Sequence, residues 1–307
     1  MKPLWLIIPG LFLFLFFNLW PIVYSVYISF TDANIRNFPP PPPWAPEELK
    51  QARPPPDFIG LGNYISIFAG PASAGFLGAV FWTLIFAAAS VPLKVALGTF
   101  VGLLMASEKV AGRSVMRALL IVPWALPLIL SVVAWRYVFD PAYGVVNQIL
   151  YSFGWSKPPD WFVQKDYAYA AMIIIETWLA YPFIMTVVIG ALANVPRAAY
   201  EAAYIDGAGR WTVFTKVTLP LIKRPLIYAT VMTTAASLQF FLVAFLWNFI
   251  QLYDRFVLTY GYYWAFGSPF REYGLAAAVL TMAAVLISIF MILAIRLAGL
   301  MRGMYES

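Results

Sequence analysis

The chain has no cysteine and no histidine among its 307 residues. The first absence excludes a disulfide frame and a thiol nucleophile. The second removes the commonest general base and the commonest metal ligand. Charge is scarce too: Asp, Glu, Lys and Arg make up 11% of the chain, against about 25% in soluble domains. No G-x-x-x-x-G-K-[ST] phosphate loop occurs, so the chain is expected not to hydrolyse ATP. What is abundant is apolar surface: 62% of residues are hydrophobic, with 12 Trp, 18 Tyr and 25 Phe.

A helix crossing the hydrocarbon layer needs roughly 20 apolar residues, because its backbone groups must be satisfied internally. Six segments reach that length: Leu4–Phe30, Phe76–Ala106, Val115–Phe139, Tyr167–Leu192, Pro225–Phe249 and Tyr273–Leu300. The expected fold class is therefore an all-α integral membrane protein with about six transmembrane helices. Lys2 before an apolar run has the look of a signal peptide, but the run is long and no small-x-small cleavage site precedes its continuation at Pro21–Phe30. Residues 1–30 are expected to form a first transmembrane anchor, residues 76–300 the transmembrane core and residues 301–307 a tail.

Six spans place both termini on one side. That side carries Lys2, Lys109, Arg113, Arg117, Arg197, Arg210, Lys216, Lys223, Arg224, Arg296 and Arg302, 11 basic residues against 4 acidic ones. The opposite side carries 8 basic against 9 acidic. Basic residues stay cytoplasmic, so both termini are expected there, in the plasma (inner) membrane of a prokaryote. The basic excess then reports orientation and lipid surroundings, not nucleic acid. The outer segment 31–75 is rich in proline, with runs at Pro39–Pro43 and Pro54–Pro56. Such runs favour an extended spacer; contact with an external partner is the other reading.

The longest inner loop, residues 194–224, is strongly patterned. Asn194 is placed to cap a helix, with Pro196 in its first turn. Arg197 to Ile205 reads as a short helix lined by Ala198, Ala199, Ala202 and Ala203, whose small side chains permit close approach. Gly207 and Gly209 supply positive φ or close approach. A second helix, Trp211 to Leu219, is expected to stop at Pro220. The product is a cytoplasmic helix-turn-helix knob, tethered to the bilayer and too weakly basic for DNA.

Within this loop, Glu201-Ala202-Ala203, then Asp206-Gly207, Gly209, and finally Val217-x-Leu219-Pro220 resemble the EAA loop of ABC importer permeases. GRSVMRALLIVPWALP (112–127), WRYVFDPAYGVVN (135–147), ETWLAYPF (176–183), YGLAAA (273–278) and FIGLGNY (58–64) extend the resemblance over most of residues 58–280. They point to the carbohydrate branch and to the larger permease of maltose-type systems. The resemblance implies a transport subunit with no cofactor of its own, since ATP would be used by partners. Those partners are a second permease subunit, two ATP-binding subunits and an extracytoplasmic solute-binding protein. It implies that Glu201, Ala202, Ala203, Asp206, Gly207, Gly209, Leu219 and Pro220 couple the chain to the ATPases. The stretch from Pro220 to the Val257-Leu258-Thr259 triplet is longer than the resemblance leads one to expect, so the fifth span is expected to be longer, tilted or broken.

For the substrate path, ionisable residues within spans are functional candidates by default. Glu176 lies mid-span where the maltose-type family tends to carry Asn. It either accepts hydrogen bonds from sugar hydroxyls, or is protonated or paired with Lys94 for structure; Lys94 has snorkelling to the interface as a further option. Trp178 and Tyr181 follow Glu176, and Trp124, Leu179, Phe183 and Asn248 fall at or near family contact positions. Interfacial or core packing is the favoured reading for any single aromatic among them, and Gln239 and Gln251 either line a path or hydrogen-bond between helices. The expected substrate is a sugar or oligosaccharide of maltose or trehalose type. An importer for a polyol or glycerol phosphate, or a secondary transporter, are the alternatives. A membrane enzyme has only Glu176 and Asp206 to offer, in different layers.

Overall fold

A computed structural model describes residues 4–108 and 110–297. The end of the sixth expected span at Leu300, the tail 301–307, and Lys2, Lys109, Arg302 and Glu306 lie outside the described residues. Among the described residues there is no strand, and one isolated bridge joins Thr31 to Phe58. Five helices among the described residues are long and apolar enough to cross a membrane: Trp5–Ile28, Ser73–Ala106, Lys165–Ala193, Arg210–Leu252 and Tyr273–Arg296. Pro92 and Pro182 sit inside two of them without ending them.

The third expected span is not one helix. It divides into Arg113–Leu120, Val122–Ala125 and Leu128–Val138. Two prolines explain the breaks. Pro127 has no N–H to donate and holds Leu126 extended, at φ −72° and ψ 142°. Pro123 lies in the first turn of the middle piece. The freed carbonyl of Leu120 is taken by the Tyr181 hydroxyl at 3.0 Å.

The fifth span also departs from a simple helix. Leu219–Leu238 ends at Gln239, and Leu242–Leu252 carries non-helical angles at Asn248. Pro220 does not stop the preceding helix, contrary to expectation. A widened π-turn at Phe214–Thr218, closed by the Leu219 N–H on the Phe214 carbonyl, leads into the next helix with Pro220 in its first turn. A proline is tolerated there because first-turn N–H groups need no intrahelical partner.

The chain falls into two compact units. One holds the described part of Met1–Trp82 with Leu252–Leu286; the other holds Thr83–Gln251 with the described part of Ile287–Ser307. The first unit is built on Ile67, Phe76, Val257, Tyr260, Leu275 and Val279. In it, Gly75 lies under the Tyr260 ring, where a Cβ would collide, and the Tyr260 hydroxyl donates to the Ala72 carbonyl at 3.0 Å. The segment 31–75 is more ordered than a spacer. It contains helices Glu47–Ala52 and Gly62–Ala69. Asn63 Nδ2 ties it to the carbonyls of Ser29 at 2.9 Å and Thr31 at 2.8 Å, and Arg53 donates to the Phe38 carbonyl at 2.6 Å.

In the second unit, Gly98 and Gly102 let the Ser73–Ala106 helix approach Ile184 and Val188 of the Lys165–Ala193 helix so closely that a Cβ would not fit. Ile184, Val188, Ile222 and Ala229 form a core there. This spacing of glycines by one helical turn brings two backbones together where lipid-like side chains offer little driving force.

Candidate functional site

Two places in the second unit hold the residues singled out above. The first is the knob. Asn194 does not cap its first helix. It ends the preceding one, with Nδ2 donating to the Gly190 carbonyl at 2.8 Å, and Pro196 starts Arg197–Ile205. That helix closes at Gly207, whose φ is +76°. The N–H of Ala208 bonds the Ala203 carbonyl at 2.9 Å and that of Gly207 bonds Tyr204 at 3.1 Å. This is a glycine-terminated helix end that consumes the last carbonyls. Gly209 is extended, at φ −68° and ψ 162°, and starts the helix at Arg210. Of the two expected turn glycines, Gly207 alone uses its freedom from a Cβ.

The knob is held from below. Val213 and Thr218 are buried, and the Thr218 hydroxyl lies 3.5 Å from the Tyr200 hydroxyl. Its upper surface is open. Glu201, Ala202, Asp206, Gly207, Gly209, Leu219 and Pro220 are exposed and Ala203 is half-buried. Three large side chains crown it with no cover: Ile205 is 85% exposed, Trp211 74% and Tyr204 58%. Large apolar side chains left open on either side of a tight turn are what an interaction surface offers.

The second place is a buried polar joint. Lys94 has no exposed surface and pairs with Glu176 Oε1 at 2.8 Å. It also donates to the Ser237 hydroxyl, which in turn donates to the Thr233 carbonyl at 2.9 Å. The joint thus links helices Ser73–Ala106, Lys165–Ala193 and Leu219–Leu238. Lys94 does not snorkel, and of the readings left open for Glu176 the ion pair is the one present. Glu176 Oε2, Ser90 Oγ one turn before Lys94, and Thr177 Oγ1 are buried without a hydrogen-bond partner.

The other path residues have individual neighbours. The Trp178 ring meets Trp135 edge-on, with centroids 5.5 Å apart. Tyr181 holds the broken third span, as described. Leu179 is half-buried, Phe183 packs on the Ile184 core, and Trp124 is 62% exposed. Asn248 Nδ2 donates to the Phe162 carbonyl at 3.0 Å, so its amide holds a loop.

That loop is clamped by residues the sequence reading passed over. Trp247 Nε1 donates to the Trp161 carbonyl at 2.8 Å, Trp161 Nε1 to Asn147 Oδ1 at 2.6 Å, and Arg136 to the Leu246 carbonyl at 2.7 Å. Arg136 also lies over the Phe162 ring at 5.1 Å. The signal was there in the Trp161-Phe162 pair and in Trp247, but isolated aromatics do not announce which carbonyl their N–H will meet. In the first unit, a concavity of about 480 Å³ lined by Asp32, Arg36, Asn63 and Glu272 was likewise not anticipated. Burial raises the Glu272 carboxyl above the usual carboxylate range.

Among the described residues no group of His, Cys, Asp and Glu is arranged to hold a metal. Residues 98–302 match the family described as binding-protein-dependent transport system inner membrane component. The chain is similar to the maltose/maltodextrin transport system permease protein MalF of Salmonella typhimurium, at 32% identity over 75% of this chain and 47% of that one. It is also similar to the trehalose/maltose transport system permease protein MalF of Thermococcus litoralis, at 35% identity over 60% of this chain and 61% of that one. The chain spans about half the length of the Salmonella relative. Its fold is that of a chain in a bacterial ABC transporter for the acidic polysaccharide alginate, with TM-score 0.73, 21% identity, and coverage of 97% and 96% of the two chains.

Proposed function

Because this chain belongs to the family of binding-protein-dependent transport system inner membrane components, we propose that it is one permease subunit of an ATP-driven importer for a sugar or oligosaccharide. The observation that carries this reading is the knob. It is a rigid turn on Gly207 that displays Tyr204, Ile205 and Trp211 to solvent. An ATP-binding subunit is the partner such a surface fits, with Glu201, Ala202, Ala203, Asp206, Gly207, Gly209, Leu219 and Pro220 as coupling residues. Two such subunits would dock in the cytoplasm, on the chain and on a second permease, with a solute-binding protein on the far side over residues 31–75.

The charge bias of the loops supports cytoplasmic termini. Residues 1–30 would then be an anchor, 76–300 the core and 301–307 a cytoplasmic tail. ATP binding would close the two ATPases on each other, and the knob would move with the subunit that grips it. The equilibrium shifts because ATP binds the two states unequally. A sugar as substrate is supported by the maltose and trehalose systems in which the relatives work, and by Glu176, a carboxylate acceptor in the path together with Trp178, Leu179, Tyr181 and Phe183. Trp124 and Asn248 complete that set.

The test is uptake of labelled maltose, trehalose and glycerol phosphate in vesicles holding the reconstituted complex, with Gly207→Asp beside the native chain. Accumulation of a sugar that requires ATP, and its loss in an assembled Gly207→Asp complex, is the expected result. ATP-driven accumulation of glycerol phosphate instead would overturn the sugar. Uptake that ignores ATP and the substitution would overturn the importer reading in favour of a secondary transporter.

A further inference from the structure

We propose that Lys94 is the positioning residue for Glu176, and that the pair selects solutes that offer hydrogen-bond donors and carry no negative charge. The inference rests on the reading above that Glu176 borders the transport path.

The geometry sets the argument. Lys94 is fully buried and its ammonium is shared between Glu176 Oε1 and the Ser237 hydroxyl. Ser237 is itself fixed on the Thr233 carbonyl. The carboxylate is therefore held at one oxygen, while Oε2 is left buried with no partner. An ionised carboxylate oxygen accepts and cannot donate. Left unpaired in a low-dielectric interior, it is costly. A purely structural ion pair has no use for that cost, since apolar residues of similar volume hold helices together as well or better. The open acceptor is relieved when a hydroxyl, an N–H or water reaches it as the helices part.

The same arrangement works against anions. A phosphate or carboxylate entering a dry path needs a cation to offset its lost hydration. Lys94 is already committed to Glu176. The joint has an acceptor to spare and no spare positive charge. A neutral polyhydroxy compound fits that balance and glycerol phosphate does not.

The experiment uses the reconstituted complex with native chain, Lys94→Met, Lys94→Arg, Glu176→Gln and the double variant Lys94→Met/Glu176→Gln. Uptake of maltose, trehalose and glycerol phosphate is measured for each, with melting of the purified chains alongside. The native complex is expected to prefer a neutral sugar over glycerol phosphate by about tenfold or more, the worth of one hydrogen bond to a charged group. Lys94→Met is expected to raise KM for the sugar by a similar factor with a smaller change in kcat, and Lys94→Arg to restore most of it. Each single neutralisation should lower the melting temperature by several degrees, and the double variant should recover most of that loss because no charge is left unpaired. A Lys94→Met complex that melts early but keeps its native KM would overturn the positioning role. Equal native uptake of sugar and glycerol phosphate would overturn the selectivity. A native complex that takes up none of the three overturns the sugar reading and the selectivity with it, while the melting cycle still decides whether Lys94 holds Glu176.

Discussion

The knob and the buried joint are both polar interruptions in an apolar chain, and they are finished in opposite ways. In the joint, Lys94, Glu176 and Ser237 satisfy one another from three helices, and a single carboxylate oxygen remains open. In the knob, the carbonyls of Ala202, Ala203 and Tyr204 are answered around Gly207, but Tyr204, Ile205 and Trp211 are exposed. The joint derives its shape from within the chain. The knob has its shape already and leaves large apolar side chains open to solvent. Substitutions in the joint should therefore appear in the folding of the isolated chain, and substitutions at the knob tip in assembly.

The largest effect that separates them is expected at the tip. Ile205→Asp should leave the melting of the purified chain unchanged, yet lower recovery of ATP-binding subunits on it by about thirtyfold or more, as for a central interface residue. Normal recovery would mean that the tip is not the covered surface. Next comes the clamp, which shares the joint's inward logic. Trp247→Phe removes the N–H from the Trp161 carbonyl while keeping an aromatic ring, and should cost about 1–3 kcal/mol in denaturant unfolding; assembly with ATPases should be untouched. Gly207→Ala is a subtler probe of the knob. A Cβ at Gly207 meets nothing within 4 Å, so the cost is that of φ +76° alone, about 1 kcal/mol. A much larger loss would reveal neighbours that the free chain does not have. The smallest effect is expected at the Arg197–Glu108 pair, 3.3 Å apart and exposed on both sides. Glu108→Gln should shift stability by under about 0.5 kcal/mol and become silent in high salt.

Much of this architecture could be read in advance where it depends on local chemistry. Apolar length gave the long helices, and Gly207 was placed by the pattern of small residues around it. The errors came where two local rules competed. Pro220 reads as a stop, yet the five-residue π-turn Phe214–Thr218 on its near side absorbs it at the start of the next helix. Asn194 reads as an N-cap, but the helix behind it claims its amide first. Val115–Phe139 is apolar enough to span and holds two prolines able to kink it, and Pro127 goes further by holding Leu126 extended. The Lys94–Glu176–Ser237 joint was out of reach for another reason. Its members are far apart in sequence, and their meeting depends on the rotation of three helices about their own axes. Both charges were visible, and pairing was one of several open readings, but periodicity does not fix which faces turn toward each other. Asn248 shows the converse: a residue drawn toward the path by resemblance proves to be engaged by a loop carbonyl.

The passage through Pro220 has a mechanical corollary. From Arg210 to Leu238 the backbone remains wound, through the π-turn and past Pro220 and Pro225, with no loop to absorb displacement. At about 1.5 Å per residue this is a shaft about 40 Å long. Its first residue, Arg210, is exposed, and its far end carries Ser237 of the joint. The turn on Gly207 lies just outside this shaft, with Gly209 as the residue that starts it.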